Sequence, residues 1–307
     1  MMYIFKALVA YLVFPGFLFA ACAGLLAGWV DRKLTARLQW RAGPPWHQNF
    51  TDIVKLLGKE TIVPQQAGLT FLAAPYAGLA ASALSAAILG RALVAPLESF
   101  AGDLIVALYF LVVPAIAVII GASASRNPLA SVGASREMKL VMAYELPFIL
   151  TIITVIIKCK GVLAVGQIVN HQINFGSTIA SWSGALAFAA ALLCMQAKLG
   201  LAPFDIAEAE QEIMAGTMIE YSGLPLAVFK LTKALLLYTM PLLLIVLFMG
   251  RDVSALWVVL KYLVLLVAIL LIKNTNPRLR IDQALRFFWG PVTVIAALSV
   301  ILALGGW

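Results

Sequence analysis

Residues 203–212 read PFDIAEAEQE, which sets Asp205, Glu208, Glu210 and Glu212 side by side with no base among them. Between Lys198 and Lys230 there is one further acid, Glu220, and no Lys or Arg at all. If 205–214 is helical, Asp205, Glu208 and Glu212 share one stripe and Glu210 points elsewhere. Like charges at that spacing repel, so the sequence tolerates a cost here. Three chemistries compete for the cluster. A solvated face is the usual fate of a charge run. A metal site lacks soft ligands, because His47 and His171 are both remote and redox metals favour such ligands. The third is a set of proton-holding carboxylates, whose crowding and partial burial push their pKa values toward neutral.

A second candidate is Glu145, in MAYELPF, which lies inside an apolar run. A carboxylate there costs ~2.5–3.5 kcal/mol on insertion scales, which favours a functional role over a position near the headgroups or a pairing with a loop arginine. Lys230 and Lys233 follow the acidic stretch, and Lys261 falls inside a later apolar run. These lysines either extend a polar axis into the membrane or snorkel to its surface. Cys22, Cys159 and Cys194 are far apart without a CxxC pair. An iron–sulfur site has little support, and the cysteines read as small apolar fillers.

The elements that must carry these residues are membrane spans. The chain is 63% hydrophobic and 12% charged, with a mean hydropathy of +0.99. A span takes about 20 apolar residues. Eight runs qualify, at approximately 4–30, 70–94, 102–125, 140–157, 180–200, 226–249, 254–273 and 288–306. The expected fold is therefore all-α, one transmembrane domain over 1–307. The first run is too long for a signal peptide, and its bases follow it, so it reads as a retained helix.

The bases set the orientation. Arg32, Lys33, Arg37, Arg41, Lys55 and Lys59 lie between spans one and two; Arg126, Arg136 and Lys139 follow span three; Lys273, Arg278, Arg280 and Arg286 follow span seven. The alternate loops are poorer in Lys and Arg. The positive-inside rule then puts the odd-numbered loops (about 31–69, 126–139, 199–225 and 274–287) in the cytoplasm and both termini outside. The net charge of +8 thus reports topology and not nucleic-acid binding.

Within the first loop, Gly43-Pro44-Pro45 stops a helix. FTDIVKLLGKE then places Phe50, Ile53, Val54 and Leu57 on one face, with Asp52, Lys55 and Lys59 largely off it. That pattern predicts an amphipathic helix at the cytoplasmic membrane surface. In the second basic loop, Asn127-Pro128 and Gly133 read as breakers and Ser135 as the start of the next helix. Residues 158–179, on the other side, look polar but unremarkable. EYSGLPL (220–226) is too apolar for a free linker. A basic loop facing an acidic one can form a paired polar chamber, whereas buried charge without such pairing is prohibitive.

PFDIAEAEQEIMAGTMIEYSG (203–223) resembles the signature of the eight-helix subunit that joins the membrane arm to the peripheral arm in respiratory complex I, a family that includes subunits of membrane-bound nickel–iron hydrogenases. DRKLTARLQWRAGPPWHQNFTDIVKLLGKE (31–60) and GASREMKLVMAYELPF (133–148) are similar to two further blocks of that family, in the same order. The resemblance implies a prokaryotic cell-membrane subunit of an oxidoreductase, with no redox centre of its own. It implies as partners hydrogenase-like large and small subunits, a ferredoxin-like iron–sulfur subunit and antiporter-like membrane subunits. The nickel–iron centre and the iron–sulfur clusters are then expected in those partners. Lys230 and Lys233, where quinone-using members are expected to carry an acid, and the proline doublet in RAGPPW favour the hydrogenase branch. The alternative is a quinone-chamber subunit.

On this reading Asp205, Glu208, Glu210, Glu212, Glu220 and Glu145 carry proton or ion coupling together with Lys230, Lys233 and Lys261. Arg32, Arg37, Arg41, Asp52, Lys55 and Arg136 dock the peripheral arm or hold counter-charge. A stand-alone transporter would show internal repeats, and neither PFDIAEAE nor RAGPP recurs.

Overall fold

The structure, a computed structural model, describes residues 8–306 apart from the side chains of Glu210 and Gln211. Its long elements are α1 (Phe17–Leu38), α2 (Gln48–Leu57), α3 (Leu69–Val94), α4 (Asp103–Ala124), α5 (Pro128–Lys158), α6 (Val165–Phe175), α7 (Trp182–Lys198), α8 (Gly223–Phe248), α9 (Ala255–Thr275), α10 (Ile281–Phe287) and α11 (Thr293–Leu304). A π-turn, Phe288–Val292, joins α10 to α11 so that Ile281–Leu304 runs as one rod. The described residues contain no strand. The all-helical membrane architecture expected from composition is what forms.

Among the described residues, seven helical stretches are long and apolar enough to cross a membrane, with Ile281–Leu304 counted as one. The eighth expected span, 180–200, is α7, with 17 residues and a length of ~26 Å. It is shorter than expected because the chain turns at Gly200, whose φ is +60°, and because Lys198 bends into the bundle. A larger correction concerns α5. Asn127-Pro128 does not break a helix but begins one: the Asn127 side-chain oxygen accepts from Leu129 N at 2.8 Å, with proline in the first turn. α5 is thus 31 residues, ~46 Å long, and exceeds a ~30 Å hydrocarbon core. Residues 158–179 are not featureless either, because they contain α6. Gln172 of α6 donates to Val246 O and Leu247 O and accepts from Gly250 N, closing the end of α8.

α8 is the central helix. In its most apolar stretch 83% of the residues are buried, against 22% in α9; a helix apolar on all sides belongs inside. α1 packs against it closely at Gly24, where a Cβ would stand 2.1 Å from Ala234 O. The loops sort into two ends. Ion pairs and hydrogen bonds tie 31–62 to 222 and 273, 127 to 220, 136 to 212, and 205 to 278. The remaining loops meet at the opposite end, where the Asp103 carboxylate accepts from Val165 N at 2.6 Å. All the base-rich loops therefore share one end.

Candidate functional site

The acidic stretch is not one helix. Ile206–Glu208 is a 3-10 turn, Glu210–Ile213 a single helical turn, and Met214 and Ala215 take left-handed φ values of +48° and +70°. No common stripe of Asp205, Glu208 and Glu212 exists. The reason is electrostatic and steric: each acid is drawn to a base on a different element, and the segment lies flat on α5. Gly133 makes that approach possible, since a Cβ there would be 2.8 Å from Thr217 N and 3.1 Å from Ala207 O.

The three pairings divide the cluster. Arg278 Nη2 meets Asp205 Oδ2 at 2.7 Å, and the other Asp205 oxygen is buried without a hydrogen-bond partner among the described residues. Lys233 Nζ bonds Glu208 Oε2. Arg136 Nη1 donates to Glu212 Oε2 at 2.7 Å and weakly to Ile206 O at 3.4 Å. The counter-charges come from the loop before α10, from α8 and from α5. Among the described residues, none is an ion pair with the first basic loop, as a facing of loop on loop had implied. Glu210 was expected to join the cluster; its side chain lies outside the described residues.

Glu220 is bound elsewhere, accepting from Asn127 Nδ2 at 2.5 Å at the start of α5. Beside it, Tyr221 stacks on Phe71 with centroids 4.2 Å apart and donates to Phe71 O at 3.0 Å. EYSG is thereby an anchor for the acidic segment.

In the first loop, Arg32 Nη1 pairs with Asp52 Oδ2 at 2.9 Å, and Gln48 donates to the other oxygen at 2.8 Å. Burial raises the Asp52 pKa, but these two hydrogen bonds outweigh it and hold the carboxyl below its ordinary 3.8. The amphipathic helix α2 is pinned by Asn49, which donates to Leu25 O at 2.8 Å; Val54 and Leu57 stay exposed. Arg37, Arg41 and Lys55 are exposed and make no ion pair among the described residues. Asp31 was not singled out from the sequence, yet it binds Lys273 through both oxygens at 2.8 Å. Lys261 is remote from the cluster: its ammonium donates to Met249 O and Asp252 O at the opposite end.

Two adjoining cavities run through this end. One, of about 370 Å³, lies between α1, α2 and α8, with Asp31, Arg32, Asn49, Asp52, Lys230 and Lys233 among its walls. It shares Leu199, Gly200, Glu208 and Lys233 with a smaller cavity that reaches Glu137 and Lys198. There Lys198, with a side chain only 2% exposed, holds Glu145 through both oxygens at 3.0 and 3.3 Å and lies 4.7 Å from the Phe148 ring. Glu145 is thus paired with a buried lysine of α7, not with a loop arginine. The missed signal was Lys198 itself, which reads from sequence as the flank of span five. Among the described residues no three His, Cys, Asp or Glu are grouped to hold a metal.

The comparison with known proteins rests on nearly the whole of this architecture. A family model described as NADH dehydrogenase matches residues 9–304. This chain belongs to the NADH dehydrogenase family. Among curated relatives, the H subunit of the NADH-quinone oxidoreductase of Thermomicrobium roseum is 34% identical, the match covering 96% of this chain and 95% of the relative. Its counterpart in Anoxybacillus flavithermus is 31% identical over 90% of this chain and 86% of its own. A solved structure, that of an archaeal membrane-bound sulfane sulfur reductase, an archaeal respiratory membrane complex, aligns at a TM-score of 0.86 with 28% identity, over 99% of this chain and 100% of its own. This NADH dehydrogenase family member is accordingly a membrane subunit of a complex I-like oxidoreductase. The relatives named are quinone oxidoreductase subunits and a sulfur reductase, which favours the quinone alternative over the hydrogenase assignment expected from RAGPPW, Lys230 and Lys233.

Proposed function

We propose that this chain is the coupling subunit of a complex I-type quinone oxidoreductase, one that receives the quinone at its basic end and passes the redox event into the membrane as a change of charge. The observation that carries this is a pair of cavities with shared walls, reaching from Asn49 and Asp52, past Glu208 and Lys233, to the buried Lys198, which holds Glu145. Leu25, Ile53, Leu201 and Leu237 line the larger chamber beside Asn49 and Lys230. Apolar walls with a few polar donors suit a ring that carries two carbonyls and an apolar tail. The base-rich end faces the cytoplasm, by the distribution of Lys and Arg, and both termini face outward.

Electrons arrive from iron–sulfur clusters in a partner arm, docked on the exposed Arg37, Arg41 and Lys55 with Arg32 and Arg136 beside them. Reduction at the chamber shifts proton occupancy at Glu208 and its neighbours. Lys198 and Glu145 answer that change inside the bundle, and antiporter-like subunits move H⁺ or Na⁺. The structural likeness to the sulfur reductase, over 99% of this chain and 100% of the other, supports a second reading. In it the same path couples a nickel–iron or sulfur-reducing arm, with hydrogenase-like large and small subunits.

One preparation tests both. The complex is purified in mild detergent, analysed for nickel, and offered a short-chain quinone, polysulfide or protons as acceptor. Quinone reduction without nickel supports the first reading, and polysulfide reduction or hydrogen release replaces it with the second. In sealed vesicles, Glu208→Gln and Glu145→Gln are each expected to lower the ions moved per electron severalfold. Unchanged ratios in both would remove the path from the mechanism.

A further inference from the structure

Glu137 lies beside the coupling path proposed above. It sits on α5 two helical turns before Glu145 and lines the inner cavity together with Asp205, Glu208, Lys198 and Lys233. It is partly buried and makes no hydrogen bond or ion pair among the described residues. Every other acid named in that cavity has a base of its own: Asp205 has Arg278, and Glu208 has Lys233. Glu137 also connects in both directions. Glu208 and Lys233 act on it electrostatically from the outer side. On the inner side the phenol of Tyr144, buried between α5 and its neighbours, lies within electrostatic range of both Glu137 and Glu145. Lys198, which holds Glu145, is 5.7 Å from that same ring.

We infer that Glu137 is the proton-holding group that links Glu208 at the chamber to the Lys198–Glu145 pair in the bundle. The inference rests on the coupling path proposed above. Glu137 binds a proton more readily than a paired carboxylate, because burial and the Glu208 charge disfavour its charged form and the Lys233 ammonium acts on it only from a distance. A proton released from the Glu208 side binds a Glu137 carboxylate oxygen, and Glu208 keeps the negative charge opposite Lys233. With Glu137 neutral, Lys198 faces a single carboxylate, Glu145. When Glu137 passes its proton inward to a carboxylate oxygen of Glu145, the negative charge moves back to Glu137, and the Lys198 ammonium loses its charged partner. No electron moves in this step, and the proton count is unchanged.

The test uses the intact complex in sealed vesicles, driven by reduced methyl viologen with a short-chain quinone as acceptor, with H⁺ followed by a pH-sensitive dye and Na⁺ by a radioactive tracer. Glu137→Gln is expected to drop ion movement per electron to the leak level of uncoupler-treated vesicles, and Glu137→Asp to recover most of it. If Glu137→Gln moves ions like the wild type while Glu145→Gln does not, the inference fails and the path stands. If all three variants, with Glu208→Gln, match the wild type, the path itself fails. Should Glu137→Gln not assemble, the wild-type complex decides. Dicyclohexylcarbodiimide attaches to protonated carboxyls in apolar surroundings, and mass spectrometry should find it on Glu137, in different yield in the oxidised and reduced complex. Glu137 unlabelled in both states would overturn the inference.

Discussion

Lys198 and Glu145 show how a single contact changes the meaning of two residues. A lysine at a helix end ordinarily reaches for water. This one turns inward, between the Tyr144 and Phe148 rings, and gives its ammonium to a carboxylate of another helix. Breaking a buried pair by removing one partner costs about 3–5 kcal/mol, because the survivor is left charged and unpaired. Glu145 keeps a quarter of its side-chain exposure, so Lys198→Met is expected near the lower limit of that range. Lys198→Met with Glu145→Met should recover most of the loss, as read by thermal unfolding of the detergent-solubilised complex. The Arg32–Asp52 pair belongs to the other regime. Its side chains are 49% and 29% exposed, and such pairs contribute about 0–1 kcal/mol. Asp52 titrates below its ordinary 3.8 when folded, so its contribution is present above that value and is lost as pH falls through the lowered one. A spin label on α2 should therefore gain mobility only in strong acid, and Arg32→Ala should move that transition to higher pH.

At the scale of elements, the surprises come from ends, not from middles. The eight apolar runs are legible because bilayer thickness dictates their length. Where α5 begins was not, because Asn127-Pro128 is as good a helix start as a turn, and only its docking to Glu220 and the acidic segment decides between them. α6 closes the far end of α8 through one side chain. Gln172→Leu leaves Val246 O, Leu247 O and Gly250 N without their partner, at about 1–3 kcal/mol for such a buried loss. The expected result is a lower Tm with the ion-to-electron ratio intact, since Gln172 lies at the end opposite the proposed coupling path. Gly133→Leu should behave in the reverse manner. The bundle would survive, but the acidic segment would be pushed off α5, and coupling would fall with little change in helicity by circular dichroism.

For the whole molecule, the separation of charge between its two ends has a functional reading. Pairs gather at the basic end and leave Arg37 and Arg41 uncommitted on its surface, as a dock would require. Exposed substitutions remote from packing features typically change stability by within about 0.5 kcal/mol. Arg37→Glu with Arg41→Glu should therefore leave the membrane part assembled while native gel electrophoresis shows the peripheral arm released. Retention of the arm would move the dock to the acidic segment or to α2.

By itself the sequence determined the class of the protein. Apolar run length demands a multi-span bundle, the placement of Lys and Arg orders its loops, and PFDIAEAEQE with Glu145 marks the end where charge must be managed. These are local properties, carried by residue type and spacing. The tertiary structure alone decided how that charge is managed. It broke the acidic stretch into separate turns, gave Asp205, Glu208 and Glu212 to Arg278, Lys233 and Arg136, and brought Lys198 to Glu145. It also set Lys261 at the other end and left Glu137 in the inner cavity with no ion pair among the described residues. Partners separated by 25 to 76 positions cannot be read from spacing, because an ion pair forms where packing lets two charges meet in low dielectric, and packing is a property of the folded chain.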